Sequence, residues 1–259
     1  MTDDTTSRDG KPHWDGHTHR ARPTPDDIDA VLFDLDGTLC TYERSAGEVL
    51  GVAFERAGVE PFFDVTAYYD RFGEFLDDSE DMATLRANCF AAIAGERERD
   101  PAVGRAVADA FAAERDHARV RFLDGAADLL TRLHERGYGL GLVTNGPPDT
   151  QRQKLSSLGI ADRFDAAVFA GYDTPSKPHP EPFRRALDGV DTRPGRALFV
   201  GDSHDSDIAG ARAVGMSSAW VAGDRGPAGR EEAESVTPGC VVEVTGDLLP
   251  LLSESTPGR

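Results

Sequence analysis

Five short aliphatic runs, separated by stretches of helical periodicity, constrain this chain more than any other feature. They are Ala30-Val31-Leu32-Phe33 and residues 139–143, 166–169, 197–200 and 218–221. An apolar run without polar alternation is the pattern of a strand buried on both faces. The intervening stretches behave differently: in 126–136, Leu129, Leu130 and Leu133 fall on one helical face. Strand and helix in alternation predict an α/β fold, with a parallel sheet covered by helices on both sides.

Residues 43–118 break that rhythm. They hold no convincing strand and read as four helices, near 46–57, 64–76, 82–94 and 103–118. Apolar residues recur at helical spacing, as at Val49, Val52, Ala53 and Phe54, and turn signals at 58–61, 77–79 and 95–101 separate the helices. A chain of 259 residues suits one α/β domain with a smaller insert. The expected organisation is a polar leader at 1–27, a core made of 28–42 and 119–259, and an all-helical domain of 43–118 inserted after the first strand. The aromatics Phe62, Phe63, Tyr68, Tyr69, Phe72 and Phe75 read mainly as the core of that insert.

Composition removes several classes of function. The formal net charge of −18 repels nucleic acid and anionic membranes. No apolar run approaches the roughly 20 residues that a bilayer span needs. The N-terminus lacks the apolar stretch of a secretory signal, so a cytoplasmic location is expected. Cys40, Cys89 and Cys240 are odd in number and show no CxxC spacing, which argues against a disulfide framework or a zinc ribbon. Reduced, mostly buried thiols are expected instead. His13, His17 and His19 fall in the polar leader and read as incidental rather than as a metal tract. Abundant acid with only three lysines, Lys11, Lys154 and Lys177, is a halophilic composition, in which salt screens the self-repulsion. Against that background each lysine invites a question. A monomer and a homodimer are both compatible with the chain.

The chemistry concentrates at the ends of the aliphatic runs. The first run leads into Asp34-Leu35-Asp36-Gly37-Thr38-Leu39. Ligands of open α/β sheets bind at the carboxyl edge of the strands. Two carboxylates there, two residues apart, can divide the work: one attacks phosphorus, the other donates or removes a proton. A solvated turn rich in Asp and Gly would look similar. A calcium loop would not, because Thr38 and Leu39 break its pattern. The second run ends in Thr144-Asn145-Gly146, a hydroxyl before a turn, which could hold phosphate oxygens or simply leave the strand. Lys177 lies in the proline-flanked Ser176-Lys177-Pro178-His179-Pro180, where helix is excluded. The run at 197–200 leads into Gly201-Asp202-Ser203-His204-Asp205-Ser206-Asp207, whose second acid is Asp207 or, with poorer spacing, Asp205.

An aliphatic strand followed by DxDGT resembles the first signature of the haloacid dehalogenase superfamily. Thr144, Lys177 and GDxxxxD are similar to its remaining three, in the expected order, over roughly residues 30–252. The resemblance implies a Rossmann-like catalytic core with a helical cap that closes over the site and selects the substrate. It implies an enzyme of the phosphatase branch, hydrolysing a small-molecule phosphate ester through an aspartyl-phosphate. Asp34 would be the nucleophile, Asp36 the acid and base, Thr144 a phosphate ligand and Lys177 the neutralising cation. Thr38, Asn145 and Gly146 would complete substrate binding. So many carboxylates together need a cation, and Mg2+ fits. Its ligands would be the Asp34 and Asp202 side chains and the Asp36 carbonyl, with Asp207 ordering the surrounding shell, through water or Lys177. A phosphomutase and a haloacid dehalogenase share the fold. The dehalogenases lack the second acid, so Asp36 favours phosphate chemistry. Gln151 and Lys154-Leu155 after the second signature, with GDSxxxDI, are similar to the nucleoside 5'-phosphatase and N-acylneuraminate-9-phosphatase subgroup.

The leader cannot bury enough apolar surface to order itself. Deleting residues 1–27 is therefore expected to leave the melting temperature and turnover nearly unchanged. A large loss of either, in parallel melts and assays, would show that the leader docks on the folded chain.

Overall fold

Ala30, Val31, Leu32 and Phe33 form the first strand, β1 (Ala30–Phe33), and all four are buried. Successive side chains of a strand point to opposite faces, and β1 follows that rule. Val31 and Phe33 join one apolar cluster, while Ala30 and Leu32 join another on the other side of the sheet. This is why an uninterrupted apolar run is needed here: both faces of the strand are covered.

The computed structural model describes residues 28–75, 79–223, 239–248 and 252. The leader with its histidines, and residues 76–78 between the second and third expected helices, lie outside these. The chain divides into two compact units, one of residues 1–41 and 120–259, the other of 42–119.

In the first unit, β1 lies at the centre of a six-stranded sheet. The other strands are β4 (Gly139–Asn145), β5 (Ala166–Ala170), β6 (Ala197–Gly201), β7 (Ser217–Val221) and β8 (Cys240–Val242). Their order is β5-β4-β1-β6-β7-β8, and every neighbouring pair is parallel. The chain runs outward from β1 through β4 and β5, then returns to the other side of β1 for β6. That reversal is the topological switch point, where open α/β sheets place their ligands. Helices α5 (Ala126–Glu135) and α6 (Pro148–Ser157) supply Leu129, Leu130, Leu133 and Leu155 to one face. Helices α7 (Pro180–Gly189) and α8 (Ala209–Ala213) supply Phe183, Ala186, Leu187 and Ala211 to the other. Short strands β2 (Cys40–Tyr42) and β3 (Val120–Phe122) form a separate pair.

The second unit contains helices α1 (Ala46–Ala57), α2 (Val65–Phe72), α3 (Met82–Glu96) and α4 (Pro101–Glu114). Its core joins Leu50, Phe54, Phe63, Tyr68, Phe90 and Phe111. Phe62, Phe72 and Phe75 are partly buried against it, but Tyr69 is 54% exposed and is not a core residue. Gly104 sets the approach of α4 to α3, since a Cβ there would run into the Phe90 carbonyl. The helix expected at 103–118 starts earlier and ends earlier, at Pro101 and Glu114. Asp100 caps it through Ala102 N, and proline is well tolerated in the first helical turn. All three cysteines are buried, and none is in a disulfide. Among the described residues no helix is long and apolar enough to cross a membrane.

Asp29 fastens β1 to both of its neighbours. Its N–H donates to Arg196 O at 2.8 Å, and its carbonyl accepts from Gly139 N at 3.0 Å. Its carboxylate takes Nε and Nη2 of Arg196, which holds the carboxyl below the usual carboxylate range. Asp29→Asn is expected to destabilise the fold by about 1 kcal/mol at neutral pH, as a well-formed, partly exposed pair allows. A carboxylate with a depressed folded pKa stabilises above its unfolded pKa and loses that contribution as pH falls through the folded value. The gap between the urea midpoints of wild type and variant should therefore close below about pH 4. A gap that stays constant down to pH 3 would assign the loss to packing.

Candidate active site

The site is assembled at the carboxyl ends of β1, β4 and β6. Asp34 follows β1 directly, and its N–H continues the ladder by donating to Val200 O at 2.9 Å. The chain then folds back on itself. Leu39 N and Cys40 N both donate to Leu35 O, and Gly37 N donates to Cys40 O at 2.9 Å. Gly37 takes a φ of 79°, a left-handed conformation that favours glycine. A Cβ at that position would also run into the Asp202 carboxylate, so glycine lets the first loop approach the loop after β6.

Lys177 reaches into the centre of this arrangement. Its Nζ donates to Asp34 Oδ1 at 2.7 Å, to Asp207 Oδ1 at 2.7 Å and to Val143 O at 2.8 Å. Three donors meet three acceptors, so the buried ammonium is fully satisfied. Burial works against its charge, but Asp34 and Asp207 outweigh it and hold the lysine above its usual pKa. Asp207 Oδ2 also accepts from Ser203 N at 3.0 Å, within a single wide helical turn, His204–Ile208. Asp205 lies on the same turn with its side chain fully exposed, so the second acid of this loop is Asp207.

Asp34, Asp202 and Asp207 each bring a carboxylate oxygen within 4.8 Å of the others. Burial pushes the Asp34 carboxyl up, to about 8, with Lys177 opposing and Asp207 and Asp202 adding to the rise. Three crowded acids, of which Asp34 and Asp207 share one ammonium, make a site that a divalent cation would relieve. The Asp202 carbonyl is fixed by the Trp220 indole, which donates to it at 2.9 Å.

The remaining sequence-predicted residues separate in role. Thr144 is buried, and its Oγ1 lies 2.7 Å from Gln151 Nε2. The Asn145 side chain grips the backbone of Lys177. Its Oδ1 accepts from Lys177 N at 2.9 Å and its Nδ2 donates to Lys177 O at 3.3 Å. Gly146 turns the chain after β4 with a φ of 138°. Thr38, expected at the substrate, is fully buried and offers no surface to a ligand in this conformation. Its carbonyl accepts from Thr245 Oγ1.

Two residues with no role in the sequence reading stand against Asp36. Lys154 Nζ lies 2.8 Å from Oδ1 and 2.6 Å from Oδ2, and Gln151 Nε2 lies 3.0 Å from Oδ2. Their place after the second signature, and the scarcity of lysine, are the signals that the sequence holds for them.

Comparison with known proteins finds relatives over most of the folded chain. The haloacid dehalogenase-like hydrolase family profile matches residues 28–215. Phosphoserine phosphatase of Thermus thermophilus is 35% identical over 224 residues, 76% of this chain and 88% of that protein. Glyceraldehyde 3-phosphate phosphatase of Pyrococcus abyssi is 41% identical over 103 residues, but that match covers only 40% of this chain and 43% of the relative. Among solved structures, the magnesium-bound HAD-hydrolase YfnB of Bacillus subtilis shares the fold. Its TM-score is 0.70 at 22% identity, covering 87% of this chain and 98% of that one.

Removing the ammonium tests how the site is held. Lys177→Met would leave Asp34 and Asp207 buried without their countercharge. Breaking such a pair from one side is expected to destabilise the protein by about 3 kcal/mol or more, read as a lower urea midpoint. An unchanged midpoint would mean that the acids relax into solvent without it.

Proposed function

The chain belongs to the haloacid dehalogenase-like hydrolases, and from that footing we propose that it is a magnesium-dependent phosphatase. It hydrolyses a small-molecule phosphate monoester through a phosphoryl group carried on Asp34. The observation that carries this reading is the buried Lys177 bridge between Asp34 and Asp207, with a second carboxylate, Asp36, two residues from the first. The kinship with a phosphatase of similar length supports it.

The residues suit magnesium, a hard cation that takes a few carboxylate and carbonyl oxygens and keeps water and phosphate as further ligands. The Asp34 and Asp202 carboxylates and the Asp36 carbonyl would hold it, and Asp207, occupied by Lys177 and Ser203, would order the shell. When bound, it supplies electrostatic stabilisation to the phosphoryl oxygens.

The chain's own groups perform the rest. Asp34 attacks phosphorus in line, and Asp36 gives a proton to the departing alcohol oxygen. Asp36 then takes a proton from water, which attacks the phosphoryl group, releases inorganic phosphate and restores Asp34. Lys177 offsets charge on Asp34 and the phosphoryl oxygens, and Thr144 donates to one of those oxygens. Residues 42–119 act as a cap, and substrate choice is assigned to it.

A panel of phosphate esters with magnesium identifies the substrate class. Chelator should abolish turnover and magnesium restore it, and Asp202→Asn should raise the magnesium needed for half activity. Full activity in excess chelator would remove the metal from the mechanism. Asp34→Asn should eliminate turnover. Asp36→Asn keeps the nucleophile but loses acid and base catalysis, usually about 10²–10⁴-fold. With an aryl phosphate, which leaves readily, the Asp36→Asn protein should accumulate a phosphoryl group visible by rapid quench and intact mass. Absence of that added mass would reject the covalent route.

A further inference from the structure

Helix α6 buries an unusual set of side chains for a helix packed on a sheet. Its buried residues are Gln151, Lys154 and Leu155, so two of the three are polar. Gln151 is 1% exposed and Lys154 3%. An ammonium that deep is unfavourable unless its charge is met. It is met by both oxygens of Asp36, at 2.8 and 2.6 Å. Gln151 lies one helical turn before Lys154 and faces the same carboxylate. Its Nε2 sits 3.0 Å from Asp36 Oδ2, 2.7 Å from Thr144 Oγ1 and 3.2 Å from Asn145 O.

The identity of each donor follows from chemistry. Reversing the Gln151 amide would set its oxygen against a carboxylate and a backbone carbonyl, so the nitrogen faces them. An amide nitrogen only donates. Thr144 Oγ1 therefore accepts from Gln151, and its own hydrogen is left to point elsewhere. The Gln151 nitrogen thus spans the end of β4 and the loop after β1, meeting two groups of the first and one of the second.

We propose that Lys154 and Gln151 are positioning residues: Lys154 holds the Asp36 carboxylate by both oxygens, and Gln151 locks that carboxylate to Thr144 and frees the threonine hydrogen for a phosphoryl oxygen. The inference rests on the phosphatase reading, in which Asp36 moves the proton and Thr144 meets the phosphate. Neither positioning residue touches substrate in this account. Both act through groups that do.

The test compares Lys154→Met, Lys154→Arg and Gln151→Leu with wild type on an alkyl phosphate and on p-nitrophenyl phosphate, with magnesium, alongside thermal melts. Lys154→Met should lower kcat on the alkyl ester about 10-fold or more, a part of what acid and base catalysis supplies, with KM within about 2-fold. The loss should be smaller on p-nitrophenyl phosphate, whose leaving oxygen needs little protonation. Lys154→Arg should recover part of the rate. Gln151→Leu should slow both esters, because it also releases Thr144. In an Asp36→Asn background, Lys154→Met should lower kcat no further, because residues that act through one another are not additive. If Lys154→Met does not fold, the Lys154→Arg and Gln151→Leu proteins carry the same comparison. Equal loss on both esters from Lys154→Met, or full additivity with Asp36→Asn, would overturn the positioning role while leaving the phosphatase reading intact. A wild-type protein inert toward every phosphate ester would overturn that reading first, and this inference with it.

Discussion

The Lys177 ammonium donates to Asp34 after β1, to the Val143 carbonyl within β4 and to Asp207 beyond β6. Three segments distant in sequence are thereby tied at one nitrogen. The lysine is itself held: Asn145 takes its backbone N–H and C=O with the two ends of one amide. Desolvating an ammonium and two carboxylates is costly, and only their mutual attraction with good geometry offsets it. The parallel sheet makes that geometry available, because β1 lies between β4 and β6 and all three end at the same edge.

A second lysine repeats the device nearby. Lys154 stands to Asp36 as Lys177 stands to Asp34, each a nearly buried ammonium against one member of the carboxylate pair. Gln151 lies between the two systems through Thr144 and the Asn145 carbonyl. The site is therefore a small polar network at the rim of two apolar clusters.

The sheet was legible because a strand buried on both faces must be apolar throughout. The five aliphatic runs became β1, β4, β5, β6 and β7, some longer by a residue or two. β2, β3 and β8 were not read, since three residues carry no periodicity. Among the helices, α1 matched to the residue, and its start is fixed by the reciprocal Ser45 and Glu48 cap. Asp34, Asp36, Asp202 and Asp207 could be picked out because strand ends in such a sheet converge. Lys177 stood out in a lysine-poor chain, in a segment where proline forbids helix. Lys154 drew notice too, but its partner and role could not be read, because a lysine on a helix is ordinarily solvated and that partner is 118 residues away. Asn145 and Thr38 carry contacts that no signature announces, one clamping the Lys177 backbone and the other fully buried.

The ends of the helical unit meet. Glu43 N donates to Arg119 O at 3.0 Å, the two side chains pair, and β2 and β3 form one small sheet where the chain leaves and returns. An excursion that departs and re-enters through paired strands imposes no span on whatever lies between them. Its length and content can drift, or be exchanged wholesale like a cassette, while the parallel sheet keeps its register. The paired strands thus act as a hinge pin between a fixed sheet and a segment whose make-up the sheet does not constrain.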